Sequence, residues 1–352
     1  MKLFTCDHCG NTLYFENAVC ERCGHQLGYL PQYNALVSLV EDGGLWSTPA
    51  FHDDAFVFCE NTKHGACNWL LVAQPGADVY CVACRHNETI PDIVDPLNLH
   101  RWQVIERAKK RLFYSLLRLN LPLQTRNEDP LHGLSFRFLA DMPIANGPVM
   151  TGHENGIITI SLAEADDAER EARRTSMGEP YRTLLGHFRH EIGHHYWDLL
   201  VANRPALTGF RALFGDETAD YTLALQNYYA NGAPAGWYQS HISAYATAHP
   251  WEDFAETFAH YLHITDTVEM ASAFGVRAHP ETNDQSLDIS VSFDPYTAAS
   301  ADVIVRNWVP LASMLNNLNR AMGHPDAYPF VLTPQVIEKL GYIHQLVHGQ
   351  LN

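Results

Sequence analysis

Apolar residues recur at helical spacing in several stretches of this chain, and most of those stretches carry a start signal. Leu184, Leu185, Phe188, Ile192, Tyr196 and Leu199 form one stripe, with Pro180 upstream at a position suited to a first helical residue, where no N–H is needed. Trp102, Ile105, Leu112, Leu116 and Leu119 predict a second helix over about 99–119, with Asn98 as its N-cap. Pro250 suits the first turn of a third, whose apolar positions include Trp251, Phe254, Phe258, Tyr261 and Leu262. Ala299 to Met322 has helical character, and Thr333 with Pro334 opens a last helix as N-cap and first residue. Gly156–Leu162 alternates from Ile158 onward and predicts a strand, while the polar run His279–Leu287 reads as a surface loop. The pattern predicts an α+β chain whose second part is mainly helical. Pro91 and Pro96 mark a join, which places an amino-terminal region over 1–98 and a larger domain over 99–352.

The helix expected from Leu184 contains His190-Glu191-Ile192-Gly193-His194. Histidines at i and i+4 lie one above the other on a helix, so both imidazoles reach one tetrahedral metal, and Glu191 faces the water that completes the shell. The chain has 20 histidines, so a chance match has to be weighed. The apolar stripe answers it by setting both histidines at the edge of a buried face. His187 shares that face and is a candidate for contact with the ligands.

Size and charge narrow the partners. The 352 residues, 46% hydrophobic and 18% charged, describe a globular protein with a sizeable core. No apolar run nears the ~18 residues needed to cross a bilayer, and the start has no apolar signal core; we expect a cytoplasmic protein without membrane contact. A formal charge of −17 argues against nucleic acid, where affinity comes from Lys and Arg displacing counterions. The one basic run, Arg107 to Arg111 with Arg118, reads as the solvated face of its helix.

All eight cysteines lie within the first 84 residues, which in a reducing compartment argues for metal rather than disulfides. Cys6-x2-Cys9 and Cys20-x2-Cys23 have the layout of a zinc ribbon, with Gly10 and Gly24 directly after each pair where a tight knuckle favours a residue without Cβ. Cys59, Cys67, Cys81 and Cys84 form a less regular second set, in which His64 or His86 could replace a cysteine. Four thiolates close a zinc shell, so both sites are expected to be structural.

A catalytic zinc takes three protein ligands and a water. The third is expected to be Glu252, on the helix that Pro250 opens. Glu256, four residues on, shares its face and can accept the free ring N–H of a ligand histidine; Glu256 itself is the alternative ligand. Asp216 and Glu217 are a rival pair closer to His194, with a helix cap at Asp216 as their ordinary explanation.

These residues carry a resemblance. The zinc ribbon, His190-Glu191-x2-His194 and Trp251-Glu252-Asp253-Phe254-Ala255-Glu256 resemble the zinc-binding metallopeptidases with an amino-terminal zinc-ribbon domain, over most of the chain. More distantly the catalytic part is similar to gluzincins, in which a Glu on a later helix is the third ligand. The resemblance implies a zincin-like fold, Glu252 as ligand, Glu256 behind it, and Tyr245, seven residues before Glu252, as donor to a developing oxyanion. It also implies that the strand near Ile158 lies at a cleft edge and pairs with extended substrate, a core strand being the alternative. The expected activity is zinc-dependent peptide hydrolysis with Glu191 as general base, one catalytic and two structural Zn²⁺, and a peptide or protein substrate. The competing expectation is a catalytically silent interaction or regulatory protein that recruits a partner through its zinc ribbons.

Overall fold

The computed structural model describes residues 1–76, 78–140, 149, 151–177, 183–283 and 285–351. Pro180 lies outside the described residues. The chain divides into two compact units, Met1–Arg170 and Glu171–Asn352. The first therefore extends past the expected boundary near residue 98.

Strands β1 (Phe4–Thr5) and β2 (Thr12–Leu13) form a small hairpin around the first cysteine pair. The second pair leads into a five-stranded antiparallel meander of β3 (Gln26–Leu30), β4 (Ala35–Asp42), β5 (Leu45–Thr48), β6 (Phe51–Phe58) and β7 (Leu70–Val72). Leu30, Val37, Leu39, Phe56 and Leu70 pack as its core. No strand is expected here from sequence alternation, and the reason is visible in β4: Leu36, Val37, Ser38 and Leu39 are all buried, so both faces are covered and the period of two is lost.

After β8 (Asn87–Thr89) comes α1 (Pro96–Arg118). Its N-cap is Asp95, whose carboxylate accepts from the Leu97 N–H at 2.8 Å; Asn98 sits inside the first turn, so the expected cap moves three residues upstream. Trp102, Ile105, Leu112, Leu116 and Leu119 are buried as the stripe requires. The basic run departs from expectation, because Lys109 and Lys110 are buried rather than solvated. Both ammonium groups bind Glu106, at 2.7 and 2.8 Å.

Three further strands, β9 (Ser135–Leu139), β10 (Gly152–Glu154) and β11 (Ile157–Ser161), join β8 in a sheet of order β10-β11-β9-β8. Phe113 of α1 packs on Phe136 of β9, ring centroids 6.0 Å apart, which draws α1 into this unit. The strand expected from Ile158 is present as β11. It is flanked by β9 along its length and by β10 over Ile157–Thr159, and Ile158 and Ile160 are buried.

The chain leaves the first unit within α2 (Asp167–Met177). The second unit is mainly helical: α3 (Leu184–Leu200), α4 (Ala206–Phe214), α5 (Tyr221–Asn231) and α6 (Pro250–Ala273), a short pair β12 (Arg277–Ala278) and β13 (Ile289–Ser290), then α7 (Ala301–Ala321) and α8 (Pro334–Val347). Thr183 caps α3 by accepting from the Gly186 N–H at 2.9 Å, and Thr333 caps α8 as expected. Helices α3 and α6 pack against each other, with Tyr196 stacked on Phe258 at 5.7 Å. A Cβ added at Gly193 would lie 3.0 Å from the Ala255 Cα. The missing side chain is what lets these two backbones approach so closely.

Candidate metal centre

The first turn of α6 is fixed from both sides. His249 caps it through its ring, accepting from the Trp251 N–H at 3.1 Å, while its other nitrogen lies 3.1 Å from the Ala219 carbonyl. Asp253 binds Lys339 of α8 at 2.5 Å; burial pushes its carboxyl up to about 7 although the ammonium opposes this. Glu252 is thereby turned toward α3.

His190 Nε2 and His194 Nε2 are 3.1 Å apart, and Glu252 Oε2 lies 3.0 Å from the first and 3.5 Å from the second. Glu252 Oε2 is buried yet makes no aligned hydrogen bond. The three donor atoms lie close together, as expected of ligands that converge on a common point. A tetrahedral zinc with bonds of about 2.0–2.1 Å has ligand-to-ligand edges of roughly 3.3 Å, so this donor set fits the ion.

The charged groups of the cluster act on one another. Burial opposes charge on His190, but the carboxylates of Glu252 and Glu256 beside it outweigh burial and raise its pKa well above the usual histidine range. Glu252 is held well below the carboxylate range by His194 and His190 in spite of its burial. Both shifts follow from the closeness of the imidazoles and the carboxylates.

Around the three donors, Glu256 Oε1 lies 2.8 Å from His190 Nδ1, and its other oxygen accepts from Ser243 Oγ at 2.5 Å. That contact fixes which ring nitrogen of His190 faces the cluster. Glu191, on the same helix, is buried. Tyr245 packs its ring 5.9 Å from His190; burial, then the charge of Glu252, pushes its hydroxyl above the usual tyrosine range, with Glu191 adding to the effect. It is therefore a neutral donor at ordinary pH.

The alternatives settle differently. Glu256 contacts a histidine rather than joining the donor cluster. Asp216 caps Thr218 at 2.9 Å and Glu217 pairs with Arg211, so the rival pair is engaged elsewhere. The cap of α5 is Asp220, accepting from the Leu223 N–H at 2.9 Å. His187 lies outside the cluster.

In the first unit Cys6, Cys9, Cys20 and Cys23 gather together, as do Cys59, Cys67, Cys81 and Cys84. Sulfur pairs stand at 3.8 Å for Cys6 with Cys23, 3.6 Å for Cys9 with Cys20, and 3.7 Å for Cys67 with Cys81. A zinc tetrathiolate with bonds near 2.3 Å has edges of about 3.8 Å. Gly10 and Gly24 take φ values of 74° and 75°, the left-handed turn expected of each knuckle. His64 and His86 stay out of the second set; His86 instead sets Nδ1 2.9 Å from the Leu134 carbonyl. Lys110 donates to Cys84 Sγ at 3.1 Å.

Residues 98–346 match the family described as "Putative zinc-binding metallo-peptidase". The chain belongs to this family. Residues 3–95 match a zinc-ribbon domain, so the two matches meet at the join read near Pro96. Uncharacterized proteins of Mycobacterium tuberculosis and Mycobacterium bovis are 42% identical over 349 residues, covering 99% of this chain and 95% of theirs. No solved structure matches significantly.

One neighbour of the three-donor cluster escapes the sequence. Tyr221 OH donates to Glu252 Oε1 at 2.6 Å, leaving Oε2 for the cluster. Its only local signal is its place just after the Asp220 cap, which says nothing about a carboxylate on another helix.

Proposed function

We propose that the chain is a zinc-dependent metallopeptidase, a hydrolase of the zincin and gluzincin type, in which His190, His194 and Glu252 hold the catalytic metal. The observation that carries this reading is the convergence of their three donor atoms with Glu191 on the same helix. A Zn²⁺ bound there supplies Lewis acidity toward the scissile carbonyl and the attacking water. Glu191 takes the proton of that water as it attacks the carbonyl carbon and delivers it to the leaving amine nitrogen as the C–N bond breaks. Tyr245 donates its O–H to the oxygen on which negative charge develops. Glu256 and Tyr221 orient a ligand each.

The two four-cysteine sets would hold structural zinc, for three ions in all. The substrate would be a peptide or protein and the setting cytoplasmic. Among the described residues no helix is long and apolar enough to cross a membrane. A recruiting role for the zinc ribbon is compatible with catalysis; recruitment alone gives no reason for a buried carboxylate beside the ligands.

Zinc per chain and peptide cleavage test the reading together. Wild type should carry three zinc ions and Glu252→Ala about two. Glu191→Gln should keep three and lose turnover by roughly 10²–10⁴-fold, the usual share of a general base. Full turnover in Glu191→Gln would sink the mechanism, and three zinc ions in Glu252→Ala would sink the ligand assignment.

A further inference from the structure

Between Tyr221 and Trp251 the chain contains no Asp, Glu, Lys or Arg, although its formal charge is −17. This uncharged segment adjoins the three-donor cluster. It includes α5, an exposed helix with no buried residue. Tyr221, Leu225, Tyr228 and Tyr229 fall at i, i+4, i+7 and i+8 and so line one side of α5. Normally such a stripe is covered. Here Tyr221 is 37% exposed and Tyr229 69% exposed.

The stripe is continuous with the metal centre. Tyr221 reaches Glu252 through its hydroxyl. Tyr228 packs on Tyr245 at 5.6 Å, and Tyr245 on His190 at 5.9 Å, so aromatic rings run from a metal-binding imidazole outward to Tyr229, itself 5.6 Å from Tyr228. A helix that small, with so little buried, gains more from contact with a ligand than from its own core.

We infer that the aromatic side of α5 is the specificity wall of the site and receives an uncharged apolar or aromatic side chain of an extended peptide, next to the bond at the metal. The occupant rests on the peptidase reading above; the selectivity rests on the wall. Aromatic rings and Leu225 offer dispersion contact and stacking to Leu, Phe or Tyr. A Glu or Lys placed there loses water and finds no opposite charge on the segment, a penalty without compensation.

The test uses the zinc-loaded Glu191→Gln full chain and fluorescent peptides that differ at one position: Tyr, Leu, Ser, Glu or Lys. Anisotropy should give Tyr and Leu peptides at least roughly tenfold tighter binding than Glu and Lys peptides. Tyr229→Ser and Leu225→Ser, both on an exposed helix, should each reduce that preference several-fold with zinc content unchanged. Equal binding of all five peptides, binding by none, or a preference untouched by both variants overturns the inference. So does sedimentation that finds a dimer dissolved by Tyr229→Ser, since a second copy would then cover the wall. Binding is read without turnover, so absence of cleavage by wild type would count against the peptidase reading alone.

Discussion

A carboxylate that offers one oxygen to a metal must have the other occupied, or it will turn. On the proposed reading Glu252 is such a carboxylate, and Tyr221 occupies its second oxygen, 2.6 Å from Oε1. Removing that single O–H leaves the ring in place but frees the carboxylate to rotate and leaves a buried oxygen without its donor. Tyr221→Phe should therefore weaken zinc at this site by about 10- to 100-fold, read by competition with a chelator, while the cysteine clusters keep their ions; unchanged affinity would reduce Tyr221 to packing. The residues of this centre differ in how far sequence exposes them. His190, Glu191 and His194 are legible because their relation is local to one helix, and Glu252 because Pro250 announces its helix start. Tyr221 is 31 positions from its partner, and no periodicity links a tyrosine to a distant carboxylate.

At the level of elements, the centre depends on how near α3 comes to α6. Gly193 sits between His190 and His194 and Ala255 between Glu252 and Glu256, and these two residues approach closely at the backbone. A side chain at Gly193 would meet the Ala255 Cα at 3.0 Å, its carbonyl oxygen at 3.3 Å and the Phe258 Cβ at 3.3 Å. None of these is the free end of a flexible side chain. Gly193→Val should cost roughly 1–3 kcal/mol by overpacking and also lower zinc content, because separating the helices parts Glu252 from the imidazoles; urea melts and metal analysis would check both. The helices expected near 99–119, from Leu184, from Pro250, over 299–322 and from Thr333 were readable, since each buries an apolar stripe; α2, α4 and α5 were not, and α5 buries no residue. The meander β3 to β7 was not, because β4 is buried on both faces, and Asn98 lost the cap of α1 to Asp95, whose carboxylate lies ahead of the proline. Lys109 and Lys110 reversed their expected exposure for a reason that composition conceals: Glu106 and Cys84 supply charge partners inside.

For the whole molecule, acid is the revealing stress. His344 of α8 is buried against Tyr261, 3.0 Å from its hydroxyl, and burial pushes its pKa down to about 4. The unfolded chain binds this proton more readily than the folded one. The contribution of His344 to stability is thus fully present above about pH 6.5 and is lost as pH falls toward 4. His344→Gln should flatten the fall of Tm across that window, and an unaltered slope would refute the assignment. A different kind of consequence follows from Lys110, whose ammonium lies on α1 and touches a sulfur of the second cysteine cluster at 3.1 Å. Four thiolates around zinc carry net negative charge, and much of it is answered by a cation that belongs to a long buried helix. Departure of an ion held there would leave Lys110 to Glu106 alone and four sulfurs without their common partner. A zinc held there is expected to exchange slowly, paced by how often α1 comes away from its seat, and a slow chelator-driven loss of metal that Lys110→Met speeds up would check this.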